Sequence, residues 1–100
     1  MKNKFGIEEI IFAELINTFK NCDNLIQVKL FGSRARGDFK ETSDIDLAVK
    51  FSKEDEKLKL IEELENIRCI LKFDVINIDT ISNNLLIQNI NKDGIIIYKK

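Results

Sequence analysis

The chain has 100 residues, with 16 Lys and Arg against 17 Asp and Glu and a formal net charge of −1. That length fits one domain, residues 1–100, which by size buries roughly 65% of the surface its unfolded chain exposes. The near-zero charge argues against a protein that coats nucleic acid or a membrane surface by bulk charge, so no direct nucleic-acid binding is expected and any phosphate binding has to be local.

From Ile7 to Phe19 the apolar residues Ile7, Ile10, Ile11, Leu15, Ile16 and Phe19 recur at spacings of three and four, with acids early and Lys20 late, as in an amphipathic helix with an apolar core face. Residues 21–24 (NCDN) form a polar turn. Leu25 to Phe31 (LIQVKLF) is an apolar run too short for a helix and reads as a strand that stops at Gly32. Residues 37–42 are a loop, and Asp44 to Phe51 is a second strand, able to pair with the first.

Ser52 offers an N-cap with Asp55 three residues on, opening a charged helix whose positions Leu58, Ile61, Leu64 and Ile67 keep a three-residue beat to about Ile70. Lys72 to Ile78 (KFDVINI) alternates as a third strand, with Phe73 and Val75 on one side and Asp74 and Ile76 on the other. Thr80 or Ser82 caps a helix to about Ile90, residues 91–94 (NKDG) make a turn, and Ile95 to Tyr98 is a last strand or a buried tail. The order describes an α/β or α+β domain built on a small mixed sheet flanked by helices.

Cys22 and Cys69 have no metal-ligand or redox spacing and the chain has no His, which argues against zinc; both cysteines are expected to be buried thiols. The N-terminal apolar pattern contains Glu8, Glu9 and Glu14, and no apolar run reaches membrane-spanning length. Neither a signal peptide nor a transmembrane helix is expected, and the expected location is the cytoplasm.

The chemistry concentrates in Gly32 to Gly37 and in Ser43-Asp44-Ile45-Asp46-Leu47. At a strand-to-helix corner Gly32 admits a phosphate close to the backbone amides, Ser33 adds a hydroxyl donor, and Arg34 and Arg36 add positive charge. Asp44 and Asp46 lie two apart in a strand pattern, so both point to one side, where the repulsion between two carboxylates is relieved by a divalent cation. Asp74 on a third strand completes a set suited to two-metal phosphoryl chemistry, as metal ligand and base together. A lone Gly-Ser corner is more often structural, and a strand with alternate Asp usually just has a solvated face. It is the spacing between the two features that favours a shared site. The Lys-Ser/Thr of a P-loop and the G-x-G-x-x-G of a dinucleotide fold are both absent.

Gly32-Ser33, ten residues, Asp44-Ile45-Asp46 and a later Asp74 between Phe73 and Val75 resemble the minimal nucleotidyltransferases of the polymerase-beta-like superfamily. The resemblance covers nearly the whole chain, including the apolar tail from Gly94 to Tyr98. It implies the nucleotidyltransferase fold and transfer of a nucleoside monophosphate, AMP from ATP, to a hydroxyl with two Mg²⁺ ions. By the same match Gly32 and Ser33 hold the triphosphate, Asp44 and Asp46 bind both metals, and Asp74 binds one and helps deprotonate the acceptor. The match does not decide between Arg34 and Arg36 as the phosphate ligand. Minimal members resemble antitoxins paired with a helical HEPN-type toxin, which implies a hetero-oligomer and a tyrosine of the partner as acceptor. Two alternatives stand beside this: an idle antitoxin that neutralises by binding alone, and a transferase acting on a small molecule.

Overall fold

A computed structural model describes every residue from Met1 to Lys100. Its elements are α1 (Glu9–Lys20), β1 (Leu25–Phe31), α2 (Ser33–Arg36), β2 (Ile45–Phe51), α3 (Lys57–Glu65), β3 (Phe73–Asn77), α4 (Asn84–Asp93) and β4 (Ile95–Lys99). The strands form one sheet in the order β3-β2-β1-β4, parallel between β2 and β3 and antiparallel at β1 with both β2 and β4. A mixed sheet is what the chain order requires: β1 and β2 are joined by a short connection, whereas α3 carries the chain back so that β3 can run parallel to β2.

One sheet face holds the main core. Val28 and Leu30 of β1, Ile45, Leu47 and Val49 of β2, and Val75 of β3 pack with Leu15 and Phe19 of α1 and Leu60 and Leu64 of α3. On the opposite face Phe31, Ala48 and Ile90 form a smaller cluster, with Ile76 and Leu86 against it. The sheet is thus covered by α1 and α3 on one side and partly by α4 on the other. Period-two alternation decides which residues go where: Ile45, Leu47 and Val49 fill the main core, while Asp46 and Ala48 turn to the α4 side.

Several sequence expectations are corrected. Ile10 is 69% exposed and Leu58 is 75% exposed, so neither joins the core. The buried positions of α3 and its exit are Leu60, Leu64 and Ile67, an i, i+4, i+7 stripe rather than a three-residue beat, because a helix turns 3.6 residues per revolution. Helix α3 starts at Lys57, not after Ser52, whose hydroxyl instead bonds the side chain of Asn24. Asn24 also accepts from the Lys53 amide at 2.9 Å, which ties the segment after β2 to the start of β1. Helix α4 is capped by Asn83, whose side chain accepts from the Leu86 amide at 3.1 Å, rather than by Thr80 or Ser82, and it runs through residues 91–93 instead of turning there. Ile95–Lys99 is a strand, which settles the choice left open at the C-terminal end. Both cysteines are free; Cys22 is buried and Cys69 only partly so. No helix is long and apolar enough to cross a membrane.

Candidate active site

Three strands bring the motif residues into one row. Phe31, the last residue of β1, is the register partner of Asp46 on β2, and Asp46 is the register partner of Asp74 on β3. Because the β2–β3 pair is parallel and in register, the two aspartates stand on the same sheet face about one strand spacing, ~4.8 Å, apart in backbone. Asp44 precedes the first residue of β2 and is exposed, as is Asp74, whereas Asp46 is half-buried.

Asp46 bears the electrostatic cost of this arrangement. Burial raises its carboxyl from the ordinary 3.8 to about 6, the charges of Asp74 and then Asp44 push in the same direction, and Arg36 and Arg34 partly oppose them. The electrostatic strain of the cluster thus sits on its half-buried member, Asp46.

Gly32 joins β1 to the single turn of α2 with φ 75° and ψ −157°, a region essentially restricted to glycine. A Cβ built there would collide with Oδ2 of Asp46, so the missing side chain both permits the corner and lets the carboxylate lie against its backbone. Gly32→Ala is expected to cost about 2 kcal/mol of stability from backbone strain and displacement of Asp46. A urea titration checks this; an unchanged midpoint would mean that the corner relaxes without penalty.

The two arginines part company. Arg34, expected near phosphate, is 1% exposed and turned into the protein. Its Nε and Nη2 donate to the Ser43 carbonyl at 3.0 and 2.9 Å, and Nη1 donates to the carbonyls of Phe5 and Gly6 at 3.0 and 3.1 Å. Nη2 also reaches the Glu41 carbonyl at 3.2 Å, and the Phe39 ring lies 5.1 Å from the guanidinium carbon. Its donors are spent on backbone oxygens, so it ties the N-terminal segment and the loop before Asp44 to the motif turn. Arg36 is on the surface, with Nε 3.3 Å from Asp38 Oδ2 and Nη1 3.5 Å from Asp93 Oδ2. The Asp38 pair is exposed and the Asp93 pair only half-covered, so both are weak, which leaves Arg36 the guanidinium able to turn toward a phosphate. Nothing in the order of residues signalled the role of Arg34 or of Gly6, whose φ of 72° sets its carbonyl against the guanidinium.

The three carboxylates form an all-oxygen donor set without His or thiolate, of the hard kind that suits Mg²⁺. No three acidic, imidazole or thiol side chains converge closely enough to enclose a metal by themselves. Mg²⁺ commonly takes one or two carboxylates and completes its shell with substrate phosphates and water, so an open aspartate row beside the Gly32 corner fits that mode.

A mixed four-stranded sheet with a glycine corner facing paired aspartates defines a nucleotidyltransferase. Residues 13–100 match the family described as "Polymerase beta, Nucleotidyltransferase", and the chain belongs to that family. Two Methanocaldococcus jannaschii proteins that carry the provisional name protein adenylyltransferase are similar: one is 41% identical over 97% of this chain and 100% of its own length, the other 42% identical over 84% and 93%. Among solved structures, a "toxin-antitoxin with AMP-PNP" superposes with a TM-score of 0.72 at 20% identity, covering 89% of this chain and 73% of that one. The toxin-antitoxin complex MntA-HepT superposes at 0.66 and 18% identity, covering 93% and 74%. At such identities the two structures establish the shared fold.

Proposed function

We propose that this chain transfers AMP from ATP to a hydroxyl of a partner protein, a small helical toxin that is silenced by the modification. The observation that carries the reading is the row of Asp46 and Asp74, side by side on parallel strands, with Asp46 against the glycine corner at Gly32. It draws support from the relatives named protein adenylyltransferase, similar along nearly their whole length, and from the fold shared with toxin-antitoxin structures, one of them with AMP-PNP.

In this reading Asp44 and Asp46 would hold two Mg²⁺ ions and Asp74 one of them. Bound there, Mg²⁺ would neutralise phosphate charge and polarise the reacting phosphoryl group. The protein's own groups do the rest. The Gly32 corner admits the triphosphate, the Ser33 hydroxyl donates to a phosphate oxygen, and Arg36 swings from Asp38 and Asp93 to another. Arg34 holds the loop that delivers Asp44. Asp74 accepts the proton of the acceptor hydroxyl; that oxygen forms a bond to the α-phosphorus as the bond to the bridging oxygen breaks, and the electron pair leaves with pyrophosphate.

Co-expression with the product of the adjacent reading frame, then incubation with ATP and Mg²⁺, tests the reading by intact mass. The expected result is a partner heavier by one AMP residue, and no gain with Asp44→Asn. A partner neutralised equally well by both forms without a mass change would establish antitoxin action by binding alone.

A further inference from the structure

We propose that the outer edge of β3 is the docking site for the acceptor segment, which adds to the sheet as an extended fifth strand beside the carboxylates. This rests on the protein-acceptor reading above and specifies how that acceptor is recognised.

Strand β3 ends the sheet and pairs only with β2. The bonds at its two ends, Ile45 N–H to the Lys72 carbonyl at 2.8 Å and Ile78 N–H to the Val49 carbonyl at 2.9 Å, set the phase of the parallel ladder. In such a ladder alternate residues direct both backbone groups to the same neighbour, so Lys72, Asp74, Ile76 and Ile78 face β2, and the N–H and C=O of Phe73 and Val75 point outward. The Asn77 carbonyl is already taken by the amides of Thr80 and Ile81 at 3.1 and 3.3 Å, which confines the open stretch to Phe73–Val75.

The two faces of this edge differ in chemistry. On the α3 side lies a cavity of about 380 Å³ lined chiefly by apolar residues, among them Ile61, Leu64, Ile67, Phe73 and Val75. On the other side Asp74 is exposed next to Asp46. A strand added along Phe73–Val75 alternates its side chains with period two. The residue aligned with Asp74 therefore emerges on the carboxylate face, and its two neighbours turn toward the apolar cavity. An added strand lies about 4.8 Å from β3, a distance that a tyrosine side chain laid over the sheet spans.

The occupant that fits is an extended segment with a hydroxyl-bearing residue between two large apolar residues and no acid at the centre. A second copy of this chain fits poorly, because antiparallel pairing of two β3 edges centred on this stretch sets the two Asp74 carboxylates against each other. The opposite edge, β4, lies two strands away from the carboxylates.

The test uses the full ¹⁵N-labelled chain, without nucleotide, and the synthetic peptide Lys-Thr-Val-Tyr-Val-Thr-Lys, with amide hydrogen exchange read by NMR. The peptide is expected to slow exchange at Phe73 and Val75 about tenfold, and N-methylation of its central Val-Tyr-Val is expected to weaken binding about tenfold or more through lost backbone hydrogen bonds. Replacing the two valines with serine is expected to weaken it further. No binding, binding without protection at Phe73 and Val75, or equal affinity of the N-methylated peptide overturns the proposal. So does protection in the chain alone that grows with protein concentration, which would mark the edge as a self-association site. Transfer is scored separately by peptide mass with ATP and Mg²⁺. Modification without edge protection overturns the docking mode alone, whereas edge protection with no modification of peptide or partner overturns the protein-acceptor reading and leaves the docking edge standing.

Discussion

Asp46→Asn is expected to lower turnover by on the order of 10²–10⁴ while making the protein more stable at neutral pH. The loss follows from removing charge from the carboxylate cluster, where Asp46 pairs with Asp74, feels the charge of Asp44 and lies against the Gly32 corner. The gain follows from the same position. The Asp46 carboxyl is raised from 3.8 to about 6 in the folded protein by burial and by its acidic neighbours, so folding favours its protonated form. This cost is absent below the unfolded value, grows as pH rises from about 4 to about 6, and is fully present above that. Allowing for solvent screening of a half-exposed group, asparagine should gain about 1 kcal/mol at pH 7 and nothing near pH 4. Urea midpoints of both forms at the two pH values, with pyrophosphate release at pH 7, check the pair of expectations. A variant that loses activity but gains no stability at pH 7 would mean that the carboxylate is solvated better than its surroundings indicate. A stabilising change that abolishes function is the signature of a site whose strain is kept for chemistry.

Arg34→Ala is expected to destabilise the fold by about 3–5 kcal/mol. Arg34 is 1% exposed and donates to the carbonyls of Phe5, Gly6, Glu41 and Ser43, and truncation would strip all four of that donor, the Phe5 oxygen in a buried position and the others half-buried. Burial lowers its pKa from the ordinary arginine value, with Cys69 and Asp46 opposing, yet the delocalised guanidinium stays charged at neutral pH. Lysine should recover only part of the loss, because its ammonium has three donors and cannot span the fork that reaches Ser43 twice. Chemical denaturation of the two variants measures this. A near-native midpoint for Arg34→Ala would show that the carbonyl cluster holds its shape without the side chain. Since Ser43 immediately precedes Asp44, loosening that loop should also reduce turnover in any variant that still folds.

Much of this protein is written locally. The apolar run from Leu25 to Phe31 could only be a strand of that length, Gly32 marks its end because the corner needs a conformation other residues resist, and alternation along Ile45–Phe51 separates Asp46 from Ile45 and Leu47. The spacing from Gly32-Ser33 to Asp44 and Asp46 therefore pointed to one site before any strand was paired. Helix ends are less legible, because caps depend on which side chain finds a free amide. Asn83 found that of Leu86, and Ser52 was diverted to Asn24 across the fold.

What only the tertiary structure decided are the relations that pattern cannot carry. The pairing of Asp46 with Asp74 depends on the register between two strands more than twenty residues apart, and the raised carboxyl of Asp46 depends on that neighbour together with burial. The two arginines of the motif look equivalent in the chain, two residues apart and equally charged. Their fates diverge because the short turn of α2 aims one side chain inward among carbonyls and the other into solvent. Likewise the open edge of β3 follows from strand order, a property of the assembled sheet and not of any segment. Local sequence determines an element's period and its breaks through sterics and hydrophobicity, whereas which charges meet, which are buried and which edge stays free depend on contacts between segments distant in the chain.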